Sequence, residues 1–73
     1  EKEMKILPEK WTGRLIGKMH NEKVTYEDIA AEIGTTKAYV SMILNGRRNP
    51  ANARERLETA VDAIVQRRKE AMA

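Results

Sequence analysis

The sequence predicts an all-α fold, a four-helix compact bundle built around two short helices joined by a tight turn. Three observations carry this. Apolar residues recur at spacings of three and four in four separate stretches. The stretches are bounded by residues that start or stop helices, among them Pro8, Thr25, Gly34, Thr36 and Asn45-Gly46. No segment reads as a strand, a repeat or a long linker. A length of 73 residues suits one domain spanning the whole chain.

The first helix is expected from about Pro8 to Asn21. Pro8 suits a first helical position, where its missing N–H has no intrahelical partner to lose. Trp11, Leu15, Ile16 and Met19 share one face, with Trp11 as a core anchor. Gly13 and Gly17 each cost the helix about 1 kcal/mol relative to alanine. They also leave a small-residue face where another backbone could approach.

The second helix is expected from Tyr26 to Ile33, the third from Lys37 to Leu44. Thr25 is the natural N-cap of the second, and Asp28 three residues on completes a capping-box pattern. Ile29, Ala30 and Ile33 form its apolar face, and Gly34 is the left-handed residue that stops it. Thr36 caps the third helix, whose apolar face is Val40, Ile43 and Leu44. Asn45-Gly46 ends it, and Arg47-Arg48-Asn49-Pro50 is a short basic loop.

The fourth helix, about 51–70, starts near Pro50 or Ala53. Asn49 as cap with Pro50 at the first position and Asn52 with Glu55 as a capping box are equally good starts. Leu57, Ala60, Val61, Ile64 and Val65 make a stripe wider than the core needs, so this helix is a candidate dimer interface. Gln66 to Ala73 is polar and is expected to fray. Arg67-Arg68-Lys69 reads either as a solvated helix end or as a second contact to a polyanion.

Composition excludes several functions. There is no cysteine, hence no disulfide and no thiolate metal site. His20 is the one histidine, so no metal or other cofactor is expected. With no phosphate-cradling glycine loop and no carboxylate pair at metal spacing, the parts of an enzyme are missing. No apolar run approaches the roughly 18–20 residues that span a membrane. Glu55, Glu58 and Asp62 interrupt the basic face that a membrane-surface helix needs. The charged start from Glu1 to Lys5 is not followed by a signal-type apolar stretch, so a cytoplasmic protein is expected. Glu1-Lys2-Glu3 precedes Met4, which leaves open whether Met4 is the native start.

Charge placement points to a partner. The net charge is +3, from 14 basic and 11 acidic side chains. From Thr35 to Pro50 the charges are Lys37, Arg47 and Arg48, with no acid. From Thr25 to Gly34 they are Glu27, Asp28 and Glu32, with no base. A basic patch beside an acidic helix suits an oriented encounter with a polyanion.

The segment from Tyr26 to Asn45 meets the requirements of a helix-turn-helix. Ala30 is the small residue where the helices cross, and Gly34 tolerates positive φ four positions later. Ile29, Ile33, Val40 and Ile43 pin the second helix of the motif onto the first. With Val40, Ile43 and Leu44 turned inward, Ala38, Ser41, Met42 and Asn45 turn outward, and Lys37 flanks them. No acid lies on this face. Apart from Lys37 and Met42 its side chains are short, so the backbone can enter a groove about 12 Å wide. Ser41 suits a base edge, Ala38 and Met42 a thymine methyl, and Lys37 a guanine or a phosphate. Two alternatives stay open. Met42 is either a groove contact or a buried gap-filler, and Tyr39 either touches phosphate or packs over the first helix.

The run from Thr25 to Ala30, then Ile33 through Asn45-Gly46-Arg47-Arg48-Asn49-Pro50, resembles the Cro/repressor helix-turn-helix family of phage and bacterial regulators. The same run with Arg54 to Ile64 also resembles the headpiece of lac-repressor-type regulators. The preceding helix from Pro8 to Asn21 favours the Cro/repressor family. The resemblance implies a lambda-repressor-like fold and base reading by Lys37, Ala38, Ser41 and Met42. It implies a phosphate clamp by Tyr26, Tyr39, Asn45, Arg47 and Arg48, which Thr36 and Asn49 are expected to join. This sequence departs from the family by carrying Tyr26 where glutamine is frequent, and one long final helix in place of two short ones.

The expected partner is double-stranded DNA, bound at a palindromic operator by a homodimer acting as a transcription regulator, with a repressor in phage or bacterial cytoplasm as the expected form. No small-molecule effector is expected to act on this chain. The alternative is a protein-binding module, such as an antitoxin-like partner using the same fold.

Overall fold

The computed structural model describes residues 10–72. Pro8, the expected start of the first helix, lies outside the described residues, as do Glu1-Lys2-Glu3, Met4 and Ala73. Among the described residues there are four helices and no strand: α1 (Lys10–Glu22), α2 (Tyr26–Ile33), α3 (Lys37–Leu44) and α4 (Ala53–Met72).

Helix α2 sits at the centre, packed against both α3 and α4, while α1 closes over α4 and α3. The expected apolar faces supply the core. Ile29, Val40, Leu44, Leu57 and Val61 are essentially inaccessible to solvent. Each such side chain contributes about 1.5–3 kcal/mol through burial. Trp11, Ile16, Tyr26, Ile33 and Tyr39 pack against this core while staying half-buried. Val24, Ala53 and Thr12 are also buried, and the periodicity did not single them out. Val24 lies between helices and Thr12 is polar, so neither registers in an apolar pattern read helix by helix.

The connections are closed by backbone hydrogen bonds. At the end of α1, the Val24 N–H donates to the Met19 carbonyl at 2.8 Å and the Lys23 N–H to His20 at 3.3 Å. This is the Schellman arrangement, with Lys23 itself in the left-handed position at φ 59°.

Four expectations are corrected. Gly13 and Gly17 lie on the solvent side of α1, and an added Cβ at either would meet nothing within 4 Å, so no backbone approaches them. Of the two expected starts of the fourth helix, the one at Ala53 forms and the one at Pro50 does not, and the capping box expected of Asn52 is not made. Asn52 has φ 65°, away from the extended conformation from which a capping side chain reaches its helix. Its carbonyl instead accepts from the Arg56 N–H at 2.9 Å. From Gln66 to Met72 the tail expected to fray is instead helical and belongs to α4. Arg67 donates to Glu32 Oε1 at 2.7 Å, and Arg68 donates to the carbonyls of Glu22 and Lys23 at 3.0 and 3.1 Å. Finally, Leu57, Ala60, Val61, Ile64 and Val65 are all buried within the chain's own core, so the apolar stripe of α4 is not spare. Among the described residues Met72 is the exposed large hydrophobic side chain.

Candidate nucleic-acid interface

The position of α3 is set by α2 and the turn between them. Thr25, in extended backbone conformation, accepts the Asp28 N–H on Oγ1 at 3.1 Å, and Asp28 Oδ2 accepts the Thr25 N–H at 2.9 Å. Both bonds of the capping box are therefore formed, and the first turn of α2 is fixed. At its other end Gly34 adopts φ 75°, ψ 39°. The N–H groups of Gly34 and Thr35 both turn back to the Ala30 carbonyl, the latter at 2.9 Å. A residue with a Cβ resists that left-handed conformation, which is why glycine suits the turn. Two residues on, Thr36 is extended and its Oγ1 accepts the Tyr39 N–H at 3.1 Å, which starts α3.

Val40, Ile43 and Leu44 then lock α3 inward. On the other side Lys37, Ala38 and Asn45 are exposed, and Ser41 and Met42 are half-buried. Met42 thus keeps part of its surface in solvent. The helix ends in a second Schellman arrangement. Gly46, at φ 80°, donates to the Ile43 carbonyl at 3.1 Å, and Arg47 donates to Met42 at 2.8 Å. The Arg48 N–H also reaches Met42, at 3.2 Å. These bonds fold the basic loop against the end of α3, with the Arg47, Arg48 and Asn49 side chains exposed.

Two contacts on this surface escaped the sequence reading. The Arg48 guanidinium lies over the Tyr39 ring, 5.6 Å from its centroid, in cation–π range. Tyr39 therefore packs on the core and carries Arg48 on its exposed side. Asn45 Nδ2 donates to Ser41 Oγ at 3.0 Å. Their separation of four residues was legible as a same-face helical pair, but nothing in the spacing says that the two polar groups bond.

The acids of α2 are largely answered from within. Arg67 beside Glu32 lowers that carboxyl below its ordinary range. Asp28 is lowered as well, chiefly by the Thr25 backbone N–H and further by the Thr25 hydroxyl and by Arg68. The α3 side carries Lys37, Arg47 and Arg48 with no acid between residues 35 and 50.

A family model described as helix-turn-helix matches residues 21–54, from the end of α1 to the first turn of α4. Residues 21–54 are a Cro/repressor-type helix-turn-helix. In this helix-turn-helix α2 is the supporting helix and α3 the one that presents an outward polar face. The family supplies DNA-binding units of transcription regulators, acts on double-stranded DNA and is typically non-enzymatic. No curated protein and no solved structure matches the chain. Among the described residues no helix is long and apolar enough to cross a membrane, and no group of acidic or histidine side chains could hold a metal ion.

Proposed function

We propose that this chain is a sequence-specific transcription regulator, acting as a repressor, that lays α3 in the major groove. One observation carries the reading: the outer side of α3 is acid-free and short in side chain apart from Lys37 and Met42, with Lys37, Ala38 and Asn45 exposed and Ser41 and Met42 half-buried, while its inner side is anchored in the core. Lys37, Ala38, Ser41 and Met42 are the base-reading residues. Arg47, Arg48 and Asn49 of the loop, with Tyr26, Thr36, Tyr39 and Asn45, hold phosphates. Two copies bind as a homodimer on a palindromic operator, with their α3 helices in successive major grooves about 34 Å apart. A cytoplasmic location, on a bacterial nucleoid or in a phage-infected host, goes with this role.

Selection of bound duplexes from a random pool tests the reading. A symmetric enriched site is expected. If a dimer makes about six to eight phosphate contacts, log affinity should fall against log salt with a slope of about −6. No enriched sequence, or an affinity indifferent to salt, overturns it. The antitoxin-like alternative called for an unpartnered apolar patch on α4, and the burial of that stripe removes its support.

A further inference from the structure

We infer that Asn45 sets the hydrogen-bonding polarity of Ser41, so that Ser41 meets the DNA as a donor. The inference rests on the proposed placement of α3 in the major groove. It concerns which base-edge group Ser41 selects and which residue makes it do so.

A serine hydroxyl has one proton and two lone pairs, and it rotates to suit its surroundings. An isolated serine on a reading helix is therefore nearly indifferent, able to give a bond to guanine or accept one from cytosine. Ser41 is not isolated. The Asn45 amide donates into its oxygen at 3.0 Å, across one helical turn. That bond occupies a lone pair and leaves the proton unspent. Donation into the oxygen also polarises the O–H and strengthens it as the outgoing bond. Ser41 is half-buried, which restricts its surroundings, and it lies on the same outward stripe as Lys37 and Ala38. Asn45 is exposed and sits at the C-cap, where a side-chain exchange leaves the core untouched.

The group that Ser41 reads is accordingly an acceptor: O6 or N7 of guanine, N7 of adenine or O4 of thymine. Cytosine, which offers its N4 amino group there, is the weaker match, because it can use only the one remaining lone pair and leaves the Ser41 proton unspent. Asn45 is a positioning residue for this contact, distinct from any phosphate contact made by its second amide hydrogen.

The test compares base preferences of the full chain and three variants on a library that varies every position of the selected site. Ser41→Ala identifies the base pair that depends on Ser41. In the parent that position should prefer acceptor-presenting bases over cytosine by about fivefold, the scale of a single base-edge hydrogen bond. Asn45→Ala should flatten the preference at that position and leave the others in rank order. Asn45→Asp offers only acceptors, turns the Ser41 proton toward itself, and should shift the preference toward cytosine at that position. Added negative charge will weaken Asn45→Asp on all sequences, so ranks within one variant are compared. Circular dichroism melts show that each variant is folded.

A Ser41-dependent preference unchanged in both Asn45 variants overturns the inference while leaving base reading by α3 intact. A parent with no preference at any position overturns the reading of α3 itself, and the inference with it.

Discussion

Arg68, near the end of the last helix, donates from Nη2 to Oδ2 of Asp28, in the first turn of α2, at 3.1 Å. The same guanidinium donates from Nη1 to the Glu22 and Lys23 carbonyls where α1 ends. One side chain thus joins the end of α1, the start of α2 and the far end of α4. Since α2 positions α3, the tail of the chain helps to set the outward face.

Arg68→Ala should therefore destabilise the fold although Arg68 is an exposed residue outside the buried core. Hydrogen bonds to charged groups are worth about 1.5–3 kcal/mol when shielded. The two side chains are 44% and 36% exposed, so solvent screening brings the expected loss nearer about 1 kcal/mol. For a domain of this size that is roughly 4–8 °C in melting temperature. Arg68→Lys keeps the charge but not the fork that reaches three acceptors, and it should recover less than half of the loss. A thermal melt of Arg68→Ala that overlays the parent's would show that the three contacts are idle.

The carboxyl of Asp28 adds a pH dependence with a definite sign. Its folded-state pKa is lowered, first by the Thr25 backbone N–H and then by the Thr25 hydroxyl and Arg68. A depressed carboxyl contributes stability that is fully present above its ordinary value of 3.8 and is lost as pH falls through the lower folded value. Asp28→Asn should be less stable than the parent near neutral pH. The gap should close once the solution is acidic enough to protonate Asp28 in the folded protein. Chemical denaturation at a series of pH values reads this directly. A gap that stays constant down to the acid limb would assign the stabilisation to shape and not to charge.

The glycines should respond with opposite signs. Gly34 has φ 75°, and an added Cβ would meet nothing within 4 Å, so the cost of Gly34→Ala is conformational alone. About 1–2 kcal/mol is expected for placing alanine in the left-handed region. Gly13 and Gly17 stand in ordinary helix with the same open surroundings. Gly13→Ala and Gly17→Ala should each stabilise by up to about 1 kcal/mol. Denaturant midpoints for the three variants check the pattern. Equal and negligible shifts at all three sites would refute the backbone account of Gly34.

These elements also show what the amino-acid order discloses. The limits of α2 and α3, the Thr25 and Thr36 caps and the Gly34 turn all rest on interactions within four or five residues. Local chemistry settles them, so they are legible. The same holds for the division of α3 into an inner face at Val40, Ile43 and Leu44 and an outer one. Arg67 and Arg68 meet partners 35 to 46 residues away, and no local pattern separates such a pair from a solvated helix end. The start of α4 at Ala53 is legible, but its cap is not, for another reason. Asn52 carries a good capping side chain, but its φ of 65° points it out of use.

The two classes of contact proposed for α3 and its loop are separable by mutation. Arg47 is exposed and meets the end of α3 through its backbone N–H, so its side chain is free to meet a phosphate. Arg47→Ala should weaken binding to every duplex by a similar factor and lower the steepness of the salt dependence by about one contact per protomer. Lys37 stands at the first residue of α3, on the exposed face. Lys37→Ala should instead change the ranking of operator variants, with a loss of about 1–3 kcal/mol concentrated at one base pair of each half-site. Titration of a small operator panel at two salt concentrations distinguishes the two behaviours. If Lys37→Ala ranks every variant as the parent does while flattening the salt slope, Lys37 holds phosphate. The base reading would then fall to Ala38, Ser41 and Met42.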